Sequence, residues 1–319
     1  MRCVKRFAVH SGLAVSACCA VVVPTALLFA QPAANEAQPT NLVLVLVNDQ
    51  PITENDLALS MLARSVPEDQ RQKLRKRFLE QLVDRRLMRD YLISRKAQAD
   101  PLELDAQVSR IRKLIAKAGD DPDAVLRKMG FDENRLRDEL SLPLAWQTHI
   151  ARVLTAEGIR DYFAAHREQF DGTQIRASQI FLKLGESAGD ADKEQDLQRL
   201  RDIRMEIVSG KTTFAAAAGM HSEAPSRDQG GDVGTFAYRG TMPLEFTREV
   251  FPLKVGEVGE PFLTRFGAHL ATVTERKPGE LSLEDVRPLV LSQMSGELWD
   301  ETVAQERQKA DFRWSAEFP

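Results

Sequence analysis

Apolar residues along this chain recur at two different spacings, and the change from one to the other divides it. Between residues 74 and 153 the steps are three and four. Leu74, Phe78, Leu79, Leu82, Val83 and Leu87 make one stripe, and Val108, Ile111, Leu114 and Ile115 a second. Leu136, Leu140, Trp146, Ile150 and Val153 make a third. Charged residues such as Arg75, Lys76, Asp84 and Arg85 fill the gaps, so the spacing predicts amphipathic helices. Asp100-Pro101, Gly119-Asp120-Asp121-Pro122 and Gly130 mark the breaks between them. Ahead of the stripes, residues 42–47 form a strand-like apolar run stopped by the turn Asn48-Asp49-Gln50-Pro51, and Thr53 can cap a helix that begins at Glu54. A short helix over 155–168 carries Ile159, Tyr162 and Phe163.

Past Phe170-Asp171-Gly172 the period shortens to two. Residues 175–184 alternate as a strand does, with Ala177, Gln179 and Phe181 on one face and Ile180 and Leu182 on the other. A charged helix over 190–208 ends at Ser209-Gly210-Lys211, and a second, short one covers 214–220. Residues 255–262 and 268–274 predict a strand pair around the turn Arg265-Phe266-Gly267. Pro278-Gly279 closes this part. Ser282 then caps a long helix, with Asp285 as its capping-box partner and Leu289, Val290, Met294, Leu298 and Val303 along one side. The fold class expected is α+β.

The amino-terminal segment adds compartment. Arg2, Lys5 and Arg6 precede a mostly apolar run over 7–30 with no acidic residue, which reads as a secretory signal peptide over 1–30 followed by an Ala/Pro/Asn/Gln linker over 31–41. A retained membrane anchor is the alternative, since the run is long enough to span. Cys3, Cys18 and Cys19 all fall inside this segment, so cleavage leaves a chain without a thiol and removes disulfides, thiolate catalysis and cysteine zinc sites together. Val15-Ser16-Ala17-Cys18 is similar to a lipoprotein box and gives a further alternative, a tether through lipidated Cys18. With 319 residues, 43% of them hydrophobic, the chain can hold two modest folded units, and a net charge of -4 offers no basic footprint for nucleic acid.

The chemistry on offer gathers between Ser222 and His269. Its apolar residues are Val233, Phe236, Met242 and Phe246, its one imidazole is His269, and Gly230-Gly231-Asp232-Val233-Gly234 supplies the tight turns. It contains no nucleophile with an obvious base, no metal-ligand spacing and no phosphate loop. Ala177-Ser178-Gln179-Ile180, Phe214-Ala215, the Ser222 to Ser226 loop, Gly230 to Gly234, Met242 to Phe246 and Gly267 to His269 follow in an order and spacing that resembles the parvulin family of peptidyl-prolyl isomerases. Val47-Asn48-Asp49-Gln50-Pro51-Ile52-Thr53 likewise resembles the opening of SurA-type periplasmic chaperones.

These resemblances imply a helical chaperone domain over 42–170, one parvulin domain over 171–278 built on a four-stranded antiparallel sheet flanked by helices, and a carboxy-terminal helix over 279–319 that folds back onto the amino-terminal helices. They imply a cup for proline from Val233, Phe236, Met242 and Phe246, and a polar network at His269 with Gln179 and Ala224. At the last two positions the family usually has histidine and a cysteine or aspartate. Glutamine still donates and accepts hydrogen bonds, whereas alanine does neither. No metal or cofactor is implied. The expected partners are unfolded or proline-containing polypeptides, met in the periplasm, and the alternative to an isomerase is a holdase whose parvulin domain only binds peptides. His149 and His166 read as structural or surface residues.

Overall fold

The computed structural model describes residues 42–185 and 188–315. The signal segment, the linker over 31–41 and all three cysteines lie outside the described residues. β1 (Val43–Val47) and β2 (Gln50–Thr53) form a hairpin that turns at Asn48 and Asp49, both at positive φ. α1 (Glu54–Ala63) starts where expected, with Thr53 and Asp56 closing a capping box. There follow α2 (Glu68–Ser94), α3 (Pro101–Lys117), α4 (Pro122–Lys128), α5 (Glu133–Val153) and α6 (Ala156–Ala165). Asp100, Asp121, Asp132 and Thr155 each accept a hydrogen bond from the first turn of the helix they precede, satisfying donors that would otherwise face solvent unpaired.

The second half brings β3 (Gln174–Lys183), α7 (Asp190–Val208), α8 (Phe214–His221), β4 (Asp232–Ala237), α9 (Leu244–Val250), β5 (Phe262–Thr264) and β6 (Gly267–Lys277). α10 (Leu283–Lys309) and β7 (Phe312–Trp314) end the described chain. The strands of this half make an antiparallel sheet in the order β4-β3-β6-β5. Both of its faces are buried. Ile180, Leu182 and Leu270 pack against Leu200 of α7 and Ala217 and Ala218 of α8, while Ile175, Ala177, Ala271 and Val273 pack against Phe236 and the α9 residues Phe246 and Val250. The alternation read from residues 175–184 is the one observed.

Two sequence expectations are corrected. Residues 255–262 are not a strand along β6. They touch it at two isolated bridges, Val255 to Val273 in parallel sense and Val258 to Thr272 in antiparallel sense, because Gly256 at a φ of +83° reverses the chain between them. The strand of that hairpin is β5, which begins only at Phe262. Leu289 does not join the packed side of α10: it is 41% exposed, and Val286 and Val290 are the residues that bury against Ile159, Phe163 and Phe170. Met242 lies before α9, whose N-cap is Pro243, so it does not share a helix with Phe246.

α10 does fold back onto the early helices. Its Ser282 and Asp285 form the expected capping box, Arg307 reaches Asp84 of α2 at 2.6 Å, and Ser295 accepts from the indole of Trp146 on α5 at 2.9 Å. Two strands were not foreseen. β2 and β7 flank β1 in a three-stranded sheet, which lays Leu44, Val45 and Val47 over Leu57, Phe78, Leu79 and Val83.

Candidate active site

His269 is on the central strand β6, directly opposite Phe181 of β3 on one side and Phe262 of β5 on the other. Its ring lies 4.9 Å from that of Phe181 and stacks at 5.3 Å on that of Phe262, while Phe246 of α9 meets it edge-on at 5.5 Å. Gln179 sits two residues before Phe181 and so on the same face, diagonal to His269 across the ladder, within reach of a long side chain. The Gln179 Oε1 accepts from the imidazole Nδ1 at 3.0 Å. On the far side the Thr264 hydroxyl donates to Nε2 at 2.8 Å and itself accepts from the Phe266 N–H at 3.1 Å. The protonation pattern follows from these partners: the proton is on Nδ1 and the bare lone pair on Nε2.

The imidazole is 6% exposed, and burial pushes its pKa down to about 4, with no charged neighbour opposing the shift. His269 is therefore neutral at ordinary pH and has both nitrogens engaged. Gln179, half-buried, spends only its carbonyl oxygen on His269. Its amide N–H groups are the donors this face leaves for a ligand.

Two glycines make the geometry possible. Gly231, at a φ of +82°, accepts from the Gln179 N–H at 2.8 Å, and a Cβ there would lie 2.3 Å from the Gln179 carbonyl oxygen. Gly267 approaches β3 so closely that a Cβ would come within 2.1 Å of the Leu182 oxygen. Asp232 of the same turn clamps Arg176 of β3 and accepts from the Gly234 N–H at 2.9 Å, and those two bonds hold its carboxyl below the usual range.

The four residues expected to cup a proline do come together, in two layers. Phe236 and Phe246 are the floor, 3% and 1% exposed, with their rings 6.1 Å apart. Val233 and Met242 pack on that floor while staying half-buried, as does Phe262, and these three form the accessible lip. Ala224 is buried in a loop anchored to β3 by Ser222, whose hydroxyl oxygen accepts from the N–H groups of Phe181 at 3.1 Å and of Ala224 at 3.2 Å. Its methyl adds no polar atom to the network.

Thr264, Phe262 and Phe181 as neighbours of His269, and the anchoring role of Ser222, were not read from the sequence. The only signal for the first two was strand register, since they share a hairpin with His269. His149 is buried against Trp146 and Tyr91 in the helical half, and His166 stacks on Tyr162 at 4.2 Å, away from this network. No cluster of three or more His, Cys, Asp or Glu suited to a metal occurs among the described residues.

Residues 180–275 match the family model described as the rotamase, or PPIC-type PPIase, domain. The chaperone SurA of Thiobacillus denitrificans is 24% identical over 261 residues, which cover 77% of this chain and 59% of that protein. SurA of Saccharophagus degradans is 38% identical over 131 residues, 40% of this chain and 29% of that one. The foldase PrsA of a Geobacillus species is 27% identical over 272 residues, 83% and 84% of the two chains. A crystal structure of PrsA from Bacillus anthracis superposes with a TM-score of 0.45 at 19% identity, covering 72% of this chain and 96% of that one. This chain thus spans 59% and 29% of the length of those two SurA chaperones.

Proposed function

Because residues 180–275 are a PpiC-type isomerase domain in a chain homologous to SurA and PrsA, we propose that this protein is an exported prolyl isomerase that also chaperones unfolded envelope or secreted proteins. On this reading residues 42–170 and 279–319 form the chaperone body and residues 171–278 the isomerase inserted in it. Signal cleavage after the first 30 residues delivers it to the periplasm. No described helix is long and apolar enough to cross a membrane.

The observation that carries the reading is the neutral, doubly bonded His269 beneath an apolar lip. Rotation about an X-Pro bond is opposed by amide resonance, about 18 to 20 kcal/mol, and needs no covalent help. In the twisted amide the nitrogen lone pair is localised and the carbonyl is less polarised, so a dry, uncharged surface suits it better than water does. Val233, Met242 and Phe262 would grip the ring, and the Gln179 amide would donate to the peptide. Fixed dipoles that favour the twisted form over both planar forms by about 4 kcal/mol give a thousandfold acceleration.

The holdase reading rests on the pair Gln179 and Ala224, of which the buried Ala224 methyl contributes no polar atom of its own. An exchange experiment by NMR on a short X-Pro peptide separates the two. Acceleration by the wild type that is lost in Met242→Ala supports the isomerase. A folded wild type that suppresses aggregation of a client yet leaves the exchange rate untouched supports the holdase. Met242 is the residue to change, because Phe246 is core and its truncation would confound binding with folding.

A further inference from the structure

The helical half holds a cleft of about 540 Å³ between α1, α2 and the start of α5. Ile52, Leu59, Leu82 and Phe131 make part of its lining apolar. Five guanidinium groups also line it, from Arg64, Arg85, Arg86, Arg89 and Arg135, against the three carboxylates of Asp56, Asp138 and Glu139. Each carboxylate is already taken. Glu139 pairs with Arg85, Asp138 with Arg89, and Asp56 with Arg135 at 3.4 Å while its other oxygen closes the cap of α1. Arg64 is held by the Ser60 hydroxyl at 2.7 Å and lies over the Phe78 ring, and among the described residues neither it nor Arg86 forms a salt bridge. Among the lining groups the cations thus outnumber the carboxylates by two in a chain whose net charge is -4, and Asp90 of α2, outside the lining, offsets part of the charge of Arg86. The crowding tells on Arg85, whose basicity is lowered by burial first, with Arg64 and Arg89 adding to the shift against the pull of Glu139.

Arg85 and Glu139 also line a second hollow, of about 580 Å³. There α5 contributes Pro143, Trp146 and Ile150, and α10 contributes Pro288, Leu291 and Trp299. The cationic cleft and the apolar groove thus adjoin at one ion pair. We propose that together they bind one extended acidic polypeptide segment, its carboxylates on Arg64 and Arg86 and its neighbouring apolar side chains along the α5–α10 groove. Guanidinium groups pair carboxylates in fork geometry, and the apolar lining lowers the local dielectric, so each such pair counts for more than it would on an open surface. A peptide supplies both carboxylates and apolar side chains, as the two hollows require. The inference is independent of the isomerase site, since none of the residues lining either hollow belongs to it.

The test is fluorescence anisotropy with the purified chain and a labelled peptide of about twelve residues alternating Glu or Asp with Leu and Phe, long enough at about 3.3 Å per residue to lie along both hollows. Its Gln/Asn counterpart is the control. At low salt the acidic peptide should bind at least about tenfold more tightly than the neutral one, and the advantage should shrink as salt rises. Arg64→Gln with Arg86→Gln should cost about tenfold, and Ser60→Asp, which supplies Arg64 with an internal carboxylate, should weaken binding in the same direction. These positions hold no salt bridge in the fold, and the X-Pro exchange rate should not move. Equal binding of both peptides, indifference to the variants, full displacement by millimolar inorganic phosphate, or preference for phosphatidylglycerol vesicles would each overturn the proposal. So would a dimer of this chain that the same variants dissolve, which would make a second copy the occupant.

Discussion

Acid should loosen the sheet domain through one residue, His269. Its folded pKa is about 4 against an ordinary value of 6.5. The unfolded chain therefore holds a proton here that the folded chain refuses throughout that window, and stability must rise with pH across it. The contribution is complete above about pH 6.5 and is lost progressively as the pH falls through 4. At roughly 1.4 kcal/mol per unit the loss is about 3 kcal/mol, a large part of the stability of a domain this size. The geometry explains the cost. A proton on Nε2 meets the Thr264 hydroxyl that now donates to it, so that hydroxyl must turn away inside a buried site while still accepting from Phe266. Urea unfolding of the wild type and of His269→Leu at half-unit steps from pH 4 to 7 isolates this group, because every other titration appears in both proteins. The stability of the wild type relative to the variant should shrink by about 3 kcal/mol on acidification. A gap that stays constant, or widens as the pH falls, would refute the account of a neutral histidine held by burial.

Other perturbations test the remaining parts of the site. Gln179→His combined with Ala224→Asp should raise the X-Pro exchange rate, and a double variant no faster than the parent would show that neither departure limits turnover. Gly231→Ala combines a φ of +82° with a Cβ 2.3 Å from the Gln179 oxygen, so a loss of about 2 kcal/mol or more in chemical denaturation is expected, with exchange activity falling alongside. Ser222→Ala leaves the N–H groups of Phe181 and Ala224 without their acceptor in a loop that is 1% exposed at that residue, and should cost about 1 to 3 kcal/mol by the same measurement.

What the sequence made legible was local or ordered. Thr53 and the Ser282/Asp285 box name helix starts, and Asp100-Pro101 a break between helices, because a cap acts within three residues of itself. The alternation of β3 assigns Gln179 and Ile180 to opposite faces without knowledge of what covers either. The order of short motifs pointed to His269, Gln179 and Met242 together, where each alone would have passed for ordinary core. What stayed hidden depends on distant pairing. β2 and β7 are four and three residues long, one of them contains Pro51, and they exist as strands because β1 lies between them. Residues 255–262 carry the composition of a strand, but Gly256 turns the chain. Thr264 became the second partner of His269 through hairpin register, which a single threonine does not announce.

The two halves of the described chain differ in how they treat charge, and that difference bears on how one protein could handle a long client. Around His269 the side chains in contact are aromatic, amide or hydroxyl, and burial keeps the imidazole from taking the second proton that would charge it. Such a site discriminates by shape and by the loss of water, which suits a proline ring and an uncharged amide. The α1–α2–α5 cleft instead gathers five guanidinium groups, and the repulsion of Arg64 and Arg89 registers on Arg85. A surface of that kind selects by sign and weakens with salt. On the proposed reading, an acidic segment could be held by the helical body while a proline elsewhere in the same client is turned by the sheet, and neither contact would compete for the chemistry of the other. The expected signature is additivity. The cleft variants should weaken binding of the acidic segment and leave the X-Pro exchange rate alone, Met242→Ala should slow exchange and leave binding of the acidic segment alone, and the combined variant should show each loss at its single-variant size.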